Sequence, residues 1–238
     1  MKTIAALVVL AVLGTSSAWG MTAEEIIEKV WVQYSAGVQE EVEFLEATLL
    51  QGERTQKKIA IRKTKFLAGG NEINVSFSAP IADVGTELRV LQKATTPDII
   101  YLKMKSWSKE RRISGSQLTS PFIWEITRED TNLLSGENTK MFQYNLMDDL
   151  ANAWIIQALP RSGTDSGYTE RRIWVDKKTF AVKKVEYYKK GGLEKIQQTG
   201  TVKVINSTGA WRVDQIIIDN LKRNRTMTIV IQKREINL

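Results

Sequence analysis

The chain has 238 residues, a formal net charge of +7, and neither cysteine nor histidine. Without cysteine there is no disulfide framework, no thiolate nucleophile and no Cys-ligated metal. Without histidine the commonest general base and metal ligand is missing, which excludes Ser-His-Asp hydrolases, Cys-His proteases and His-ligated zinc enzymes; the basic balance favours anionic surfaces and leaves the fold open.

Met1-Lys2 is a short basic start, Ile4 to Leu13 is an apolar run free of charge, and Ala18-Trp19-Gly20 is a small-x-small cleavage site. That order predicts a secretory signal peptide over 1–20, cleaved near Gly20. The apolar run is too short to span a bilayer as a helix. No cysteine follows the cleavage site, so the mature chain, 21–238, is expected to carry no lipid anchor and no stable membrane span. It is expected beyond the cytoplasmic membrane, where nucleic acid is not an expected partner.

Thr22 and Glu25 stand in the T-x-x-E capping-box pattern, and Ile27, Val30, Trp31 and Tyr34 form one apolar stripe. Glu24, Glu25 and Glu28 lie in the first turns, where the helix dipole favours anions. The spacing predicts a helix over 22–36, stopped at Gly37. The period then changes to two. Val42 and Phe44 alternate with Glu41 and Glu43, and Ile59 and Ile61 alternate with Lys58, Ala60 and Arg62. Ile73, Val75 and Phe77 follow, ending at Pro80; then come Leu88 and Val90, and Ile100, Leu102 and Met104. These segments predict half-buried strands joined by hairpin-length turns.

Residues 106–140 are expected to form long loops with one or two short helices, one of them around Glu129 to Leu134. From Met141 the strand pattern returns with Phe142, Tyr144 and Leu146, then Trp154, Ile156 and Ala158. The last third reads as a meander: Ile173 and Val175; Val185 and Tyr187; Ile196, Val202 and Val204; Trp211, Val213, Ile216 and Ile218; Met227, Ile229 and Ile231. Turns recur about every ten residues, the spacing of a sandwich or barrel. No linker and no strict repeat interrupts the chain, so 21–238 reads as one domain. The predicted class is α+β, mostly antiparallel β, with about ten or eleven strands.

A large antiparallel sheet must cover its apolar face or curl around it. One helix supplies one stripe. Either side chains fill the concavity or an apolar cavity remains for a greasy ligand; alternation alone leaves both open.

No catalytic set stands out. Asp148-Asp149 sits between two strands and reads as a hairpin turn, and Asp165 and Asp176 are likewise turn residues. Ser162 with Lys177 or Lys178 has no supporting spacing. Lys190-Gly191-Gly192 is a hairpin turn, not a phosphate loop. The chain is read as a non-enzyme with no cofactor and no metal.

Several landmarks occur together: Thr22-Ala23-Glu24-Glu25-Ile26-Ile27; Phe77, Pro80, Val84, Gly85-Thr86 and Leu88; Asp98, Tyr101-Leu102 and Arg112-Ile113-Ser114; Arg171-Arg172-Ile173-Trp174-Val175-Asp176; Thr179-Phe180; Lys184 to Tyr188; Gly192-Leu193; and Gly209-x-Trp211 leading to Thr226 and Thr228. In that order they resemble the bacterial outer-membrane lipoprotein-sorting proteins of the LolA-like group, over nearly the whole mature chain. The Trp-Val-Asp-Lys strand end and the Val-Gly-Thr turn are the most telling pair.

The resemblance implies a curved, half-open β-barrel with the N-terminal helix and short helices as a lid, in the periplasm. It implies a carrier of lipoprotein acyl chains or a related lipid, moving them toward the outer membrane, with an inner-membrane transporter and an outer-membrane acceptor as partners. The rival reading is a non-enzymatic envelope adaptor that docks an RND-type lipid exporter. Leu88, Val90, Ile100, Leu102 and Met104 are the expected cavity wall, and Trp31 and Tyr34 the expected lid. Arg112 and Arg172, within the family-like motifs, are the expected contacts for headgroups or a partner. One departure stands out. Where many relatives carry a Gly-Ser-Asp-Phe-like turn before an acidic Asp-Leu, this chain has Phe122 to Asp130, in which the acidic Glu129-Asp130 survives but the Gly-Ser-Asp does not.

Overall fold

The computed structural model describes residues 20–93, 96–114, 119, 124, 126–127, 129–131, 136–205 and 207–238. The expected signal peptide lies outside them, except for Gly20. Helix α1 runs Ala23–Ser35, and its capping box forms as the sequence predicts: the Glu25 amide donates to Thr22 Oγ1, and the Thr22 amide donates to the Glu25 carboxylate at 2.7 Å. Ile26, Ile27 and Val30 are fully buried. Removing the cap hydroxyl by Thr22→Ala is expected to cost about 1 kcal/mol, read as a shift in the urea midpoint at unchanged slope.

Fifteen strands follow among the described residues: β1 (Glu40–Gln51), β2 (Arg54–Leu67), β3 (Gly70–Ala79), β4 (Glu87–Leu91), β5 (Ile99–Lys103), β6 (Arg111–Ile113), β7 (Phe142–Asp149), β8 (Ala153–Pro160), β9 (Glu170–Asp176), β10 (Val182–Lys189), β11 (Gly192–Thr199), β12 (Val202–Val204), β13 (Trp211–Val213), β14 (Gln215–Asn220) and β15 (Arg225–Asn237). Thirteen form one antiparallel sheet in the order β6-β5-β4-β3-β2-β1-β15-β14-β11-β10-β9-β8-β7; β12 and β13 pair separately. The sheet is curved and open, with β6 and β7 as its two edges. The fold class is therefore the expected α+β one.

The strand count exceeds the expected ten or eleven. β6 lies in the stretch expected as loop. The run Ile196–Val204 breaks at Gly200, whose amide donates to the Gln215 carbonyl and where a Cβ would stand 2.9 Å from Asp214 Oδ1. The run Trp211–Ile218 breaks at Asp214. At these breaks β12 and β13 leave the main sheet and pair with each other, and the Trp211 indole N–H of β13 donates to the Val30 carbonyl of α1 at 3.3 Å. In the middle region, short 3-10 turns form at Glu129–Thr131 and Thr139–Met141.

Three strands face the opposite way from the simple apolar pattern. In β1, Glu41 and Glu43 point inward at 1% and 0% exposure, with Leu45 and Leu49, while Val42 and Phe44 are half-buried on the other face. In β2, Ala60, Arg62 and Thr64 point inward and Ile59 is exposed. In β11, Lys195 and Gln197 are buried and Ile196 is not. The physical reason is a set of ion pairs that only this facing permits. β15 carries an extra residue, Gln232, where the register passes from Phe44↔Lys233 to Leu45↔Ile231. That bulge flips the strand's facing, so Arg234 rather than Lys233 turns toward Glu41 and Glu43, at 2.7 and 2.6 Å.

The core divides in two. The larger part surrounds α1: Tyr34 packs edge-on to Trp211 at 5.0 Å, and the buried side chains of β7 to β11 and β13 to β15 close over the helix. The smaller part, Ile73, Leu88, Val90 and Ile100, lines β3 to β5 away from α1. Between β9 and β10, Asp176 organises the turn, its Oδ1 accepting from the Lys178 amide at 3.1 Å, the Thr179 amide at 2.8 Å and the Thr179 hydroxyl at 2.8 Å. Partial burial opposes ionisation there, but the Thr179 and Lys178 donors outweigh it and hold the carboxyl below its ordinary value. The stabilisation is therefore complete above the ordinary aspartate value of 3.8 and fades as pH falls through the lower folded value. Asp176→Asn is expected to cost about 1 kcal/mol at pH 7, and the gap to the parent is expected to narrow below pH 3.8 in acid-unfolding curves.

Candidate functional site

The smaller core is incompletely filled. Leu45 and Ala47 of β1, Ala60 of β2, Ile73, Val75 and Phe77 of β3, Leu88 and Val90 of β4, and Ile229 of β15 enclose a hollow on the concave face. Its walls are apolar because inward positions on these strands recur every second residue. The cavity volume is about 60 Å³, within about 670 Å³ of atom-free space when the part open to solvent is counted. α1 packs against the other half of the sheet.

The roof comes from the middle segment. Ile126, 3% exposed, and Thr131 border the hollow. Asp130 pins this segment: its Oδ2 lies 2.7 Å from Lys195 Nζ and accepts from the Thr127 amide at 2.8 Å, and its Oδ1 accepts from the Tyr168 hydroxyl at 2.7 Å. Burial, and then the Asp130 carboxylate, push the Tyr168 phenol far above its ordinary value, so it stays a donor. Beside it, Glu129 accepts from the Ser166 hydroxyl at 2.8 Å and pairs with Arg171 at 3.3 Å; Arg171 also binds Glu137 at 2.8 Å. The Glu129-Asp130 pair singled out in the sequence is thus the anchor of the roof.

The two ends of the hollow carry cations. At the inner end, Arg62 is ion-paired with Glu43, which also meets Arg234; Glu41 binds Arg212 at 2.8 Å. Burial opposes ionisation of Glu43, but Arg62 and Arg234 outweigh it and hold the carboxyl below its ordinary value. At the mouth, Lys58 pairs with Asp83 of the β3–β4 loop and lies 5.6 Å from the Phe77 ring centroid and 5.2 Å from that of Trp124. The Trp124 indole N–H donates to Gln56 Oε1 at 3.1 Å.

Of the residues expected in the cavity wall, Leu88 and Val90 line the hollow. Ile100 is buried beside them but borders a second, more polar pocket of about 130 Å³ with Asp98 and Glu129. Leu102 is half-buried against the same cluster, and Met104 is exposed in the turn after β5. Trp31 and Tyr34 pack with Trp211 in the helix-filled half and do not border the hollow. Arg112 is exposed on edge strand β6. Arg172 is half-exposed on the outer face of β9, paired with Glu170 at 2.7 Å and stacked 4.5 Å over Tyr188. Lys58, Ala60, Ile73 and Phe77 were not among the expected site residues. Ala60 and Lys58 were missed because Ile59 and Ile61 marked the other face of β2 as the buried one. Ile73 and Phe77 carried the alternation signal but sat in no motif that separated wall from core. Asp148 and Asp149 are exposed but are the last residues of β7, paired with Ile155 and Trp154 of β8, so the turn lies just beyond them, at 150–152.

An open, strongly antiparallel sheet with α1 packed against one side of it defines the class, and solved structures agree. A domain from Vibrio parahaemolyticus described as an outer membrane lipoprotein-sorting protein superposes with a TM-score of 0.81 at 20% identity, over 90% of this chain and 92% of that one. A DUF1329 family protein from Desulfovibrio piger gives 0.79 at 17% identity, over 91% and 92%. A LolA superfamily protein from Nitrosomonas europaea gives 0.68 at 15% identity, over 92% and 95%. The fold is thus LolA-like. A family model described as "-like: Uncharacterized protein" matches residues 69–238, more than half of the chain, and the chain belongs to that family. No curated protein matches it in sequence. No helix among the described residues is long and apolar enough to cross a membrane.

Proposed function

We propose that this chain is a periplasmic carrier that shelters the acyl chain of a lipoprotein or of a free lipid in the hollow and moves it toward the outer membrane. The observation that carries the reading is the division of the core: α1 packs against one half of the sheet, and the apolar wall of β1 to β4 encloses a hollow that, among the described residues, Ile126 and Thr131 border from the middle segment. Each methylene sheltered there gains about 0.8 kcal/mol, so a chain of ordinary length has ample retention. The cavity volume of about 60 Å³ is too small for an acyl chain as it stands, so uptake requires the walls or roof to move. Release then needs the reverse movement or a competing acceptor. The transfer partners, an inner-membrane donor and an outer-membrane acceptor, belong to the same proposal, as does the absence of enzymatic chemistry.

The small enclosed volume favours one rival, an envelope adaptor that docks an inner-membrane exporter and binds nothing in its core. Native mass spectrometry separates the two. The carrier is expected to leave cells with bound mass corresponding to acyl lipid, and to regain such mass after delipidation and incubation with lipid. A protein that stays at its bare mass in both experiments is the adaptor.

A further inference from the structure

On the reading that the hollow holds an acyl chain, we propose that its cargo is a single-chain amphiphile of the fatty-acid class, whose anionic head binds Lys58. Lys58 stands on the inward face of β2 among Ala47, Ala60, Phe77 and Ile229. An ammonium in such a wall bears a desolvation cost that a methionine of similar length would not. It is offset by one carboxylate, Asp83, and by the faces of Phe77 and Trp124. The Lys58 and Asp83 side chains keep 17% and 27% exposure, so the pair marks the border between the hollow and water.

Asp83 comes from a loop, not from the neighbouring strand, and is therefore an exchangeable partner. A ligand entering tail-first brings its own carboxylate to the same ammonium as its last group. The other cation of the wall, Arg62, is 3% exposed and committed to Glu43, so the charge pattern has one polarity: apolar depth, cationic mouth. From Lys58 to Arg62 the strand runs about 14 Å, the length scale of a medium acyl chain. A neutral head leaves the Lys58–Asp83 pair in place and gains nothing from it; a cationic head meets Lys58 directly.

Calorimetric titration of the full mature chain at pH 8 with laurate, dodecanol and dodecyltrimethylammonium holds the tail constant and varies the charge. Laurate is expected to bind about tenfold tighter than dodecanol, with dodecyltrimethylammonium weakest. The laurate-to-dodecanol ratio is expected to fall to about one in Lys58→Met and to return in Lys58→Arg, and Asp83→Asn is expected to raise laurate affinity by freeing the ammonium. Equal binding of laurate and dodecanol to the parent, or a ratio that survives Lys58→Met, overturns the head assignment and leaves the carrier reading intact. Displacement of laurate by phosphatidylglycerol at equal concentration overturns the single-chain assignment. Binding of none of the three overturns the carrier reading and this inference with it.

Discussion

Asp130→Ala is expected to destabilise the protein by about 3–5 kcal/mol and to lower Tm by roughly 6–20 °C for a chain of this size. The carboxylate is 2% exposed and serves three donors at once: Lys195 Nζ, the Tyr168 hydroxyl and the Thr127 amide. Removing it leaves an ammonium, 3% exposed as a residue, without the carboxylate it is built against. A buried pair is weak evidence of net stabilisation, but breaking one by removing a single partner is costly. Exchanging both partners, Asp130→Leu with Lys195→Met, is therefore expected to recover the part of the loss that comes from the stranded ammonium, while the Tyr168 hydroxyl and the Thr127 amide still lose this acceptor. Thermal unfolding of Asp130→Leu, Lys195→Met and their double variant forms a cycle with the parent whose coupling energy reads the pair. The same change bears on function. Asp130 ties the segment carrying Ile126 to β11, so its loss is expected to open the roof and raise binding of an apolar dye at temperatures well below Tm. A single variant within 1 kcal/mol of the parent would mean that the roof is held by something else.

Ala60→Phe is the second large effect. Ala60 sits mid-wall on β2, opposite Phe77 in the β2–β3 register, at 7% exposure. A benzyl group there projects into the hollow. Overpacking is expected to cost about 1–3 kcal/mol of stability. Displacing about four methylenes of cargo, at ~0.8 kcal/mol each, is expected to weaken acyl binding roughly 200-fold. Ile59→Phe is the matched control, because Ile59 lies one residue away and is 43% exposed on the outer face. Titration with laurate is expected to show the loss in the first variant and parent-like affinity in the second. Equal affinities in both would place the ligand elsewhere.

Much of this architecture is legible in the sequence. The capping box at Thr22 and Glu25, the stripe of α1, and the inward faces of β3, β4, β9, β10 and β14 follow from local spacing that nothing in the tertiary structure overrides. β1, β2 and β11 are different. β1 and β2 each carry an apolar row, Val42 with Phe44 and Ile59 with Ile61, and β11 offers Ile196, yet the structure turns Glu41, Glu43, Arg62, Lys195 and Gln197 inward. The deciding partners are remote in sequence: Arg212 and Arg234 for the glutamates, Asp130 for Lys195. The switch that presents Arg234 is a one-residue bulge, which leaves no mark in a period of two.

The candidate site was half legible for the same reason. Leu88 and Val90 lie on strands whose facing is local, and both line the hollow. Ala60 and Lys58 lie on β2, whose facing depends on the Arg62–Glu43 pair. Trp31 and Tyr34, expected as a lid over the cavity, instead meet Trp211. An apolar helix face does not reveal which half of a sheet it covers.

The central claim is that acyl chains enter the space between β1 to β4 and Ile126. Photo-crosslinking with a palmitate carrying a diazirine at its tail tests it most directly, with the labelled peptides mapped by mass spectrometry. Saturable labels on Ile73, Phe77, Leu88, Val90 or Ile126, competed by unlabelled palmitate and abolished by Ala60→Phe, are the predicted result. Labels confined to outward residues such as Ile59, or labels that no competitor removes, would contradict it.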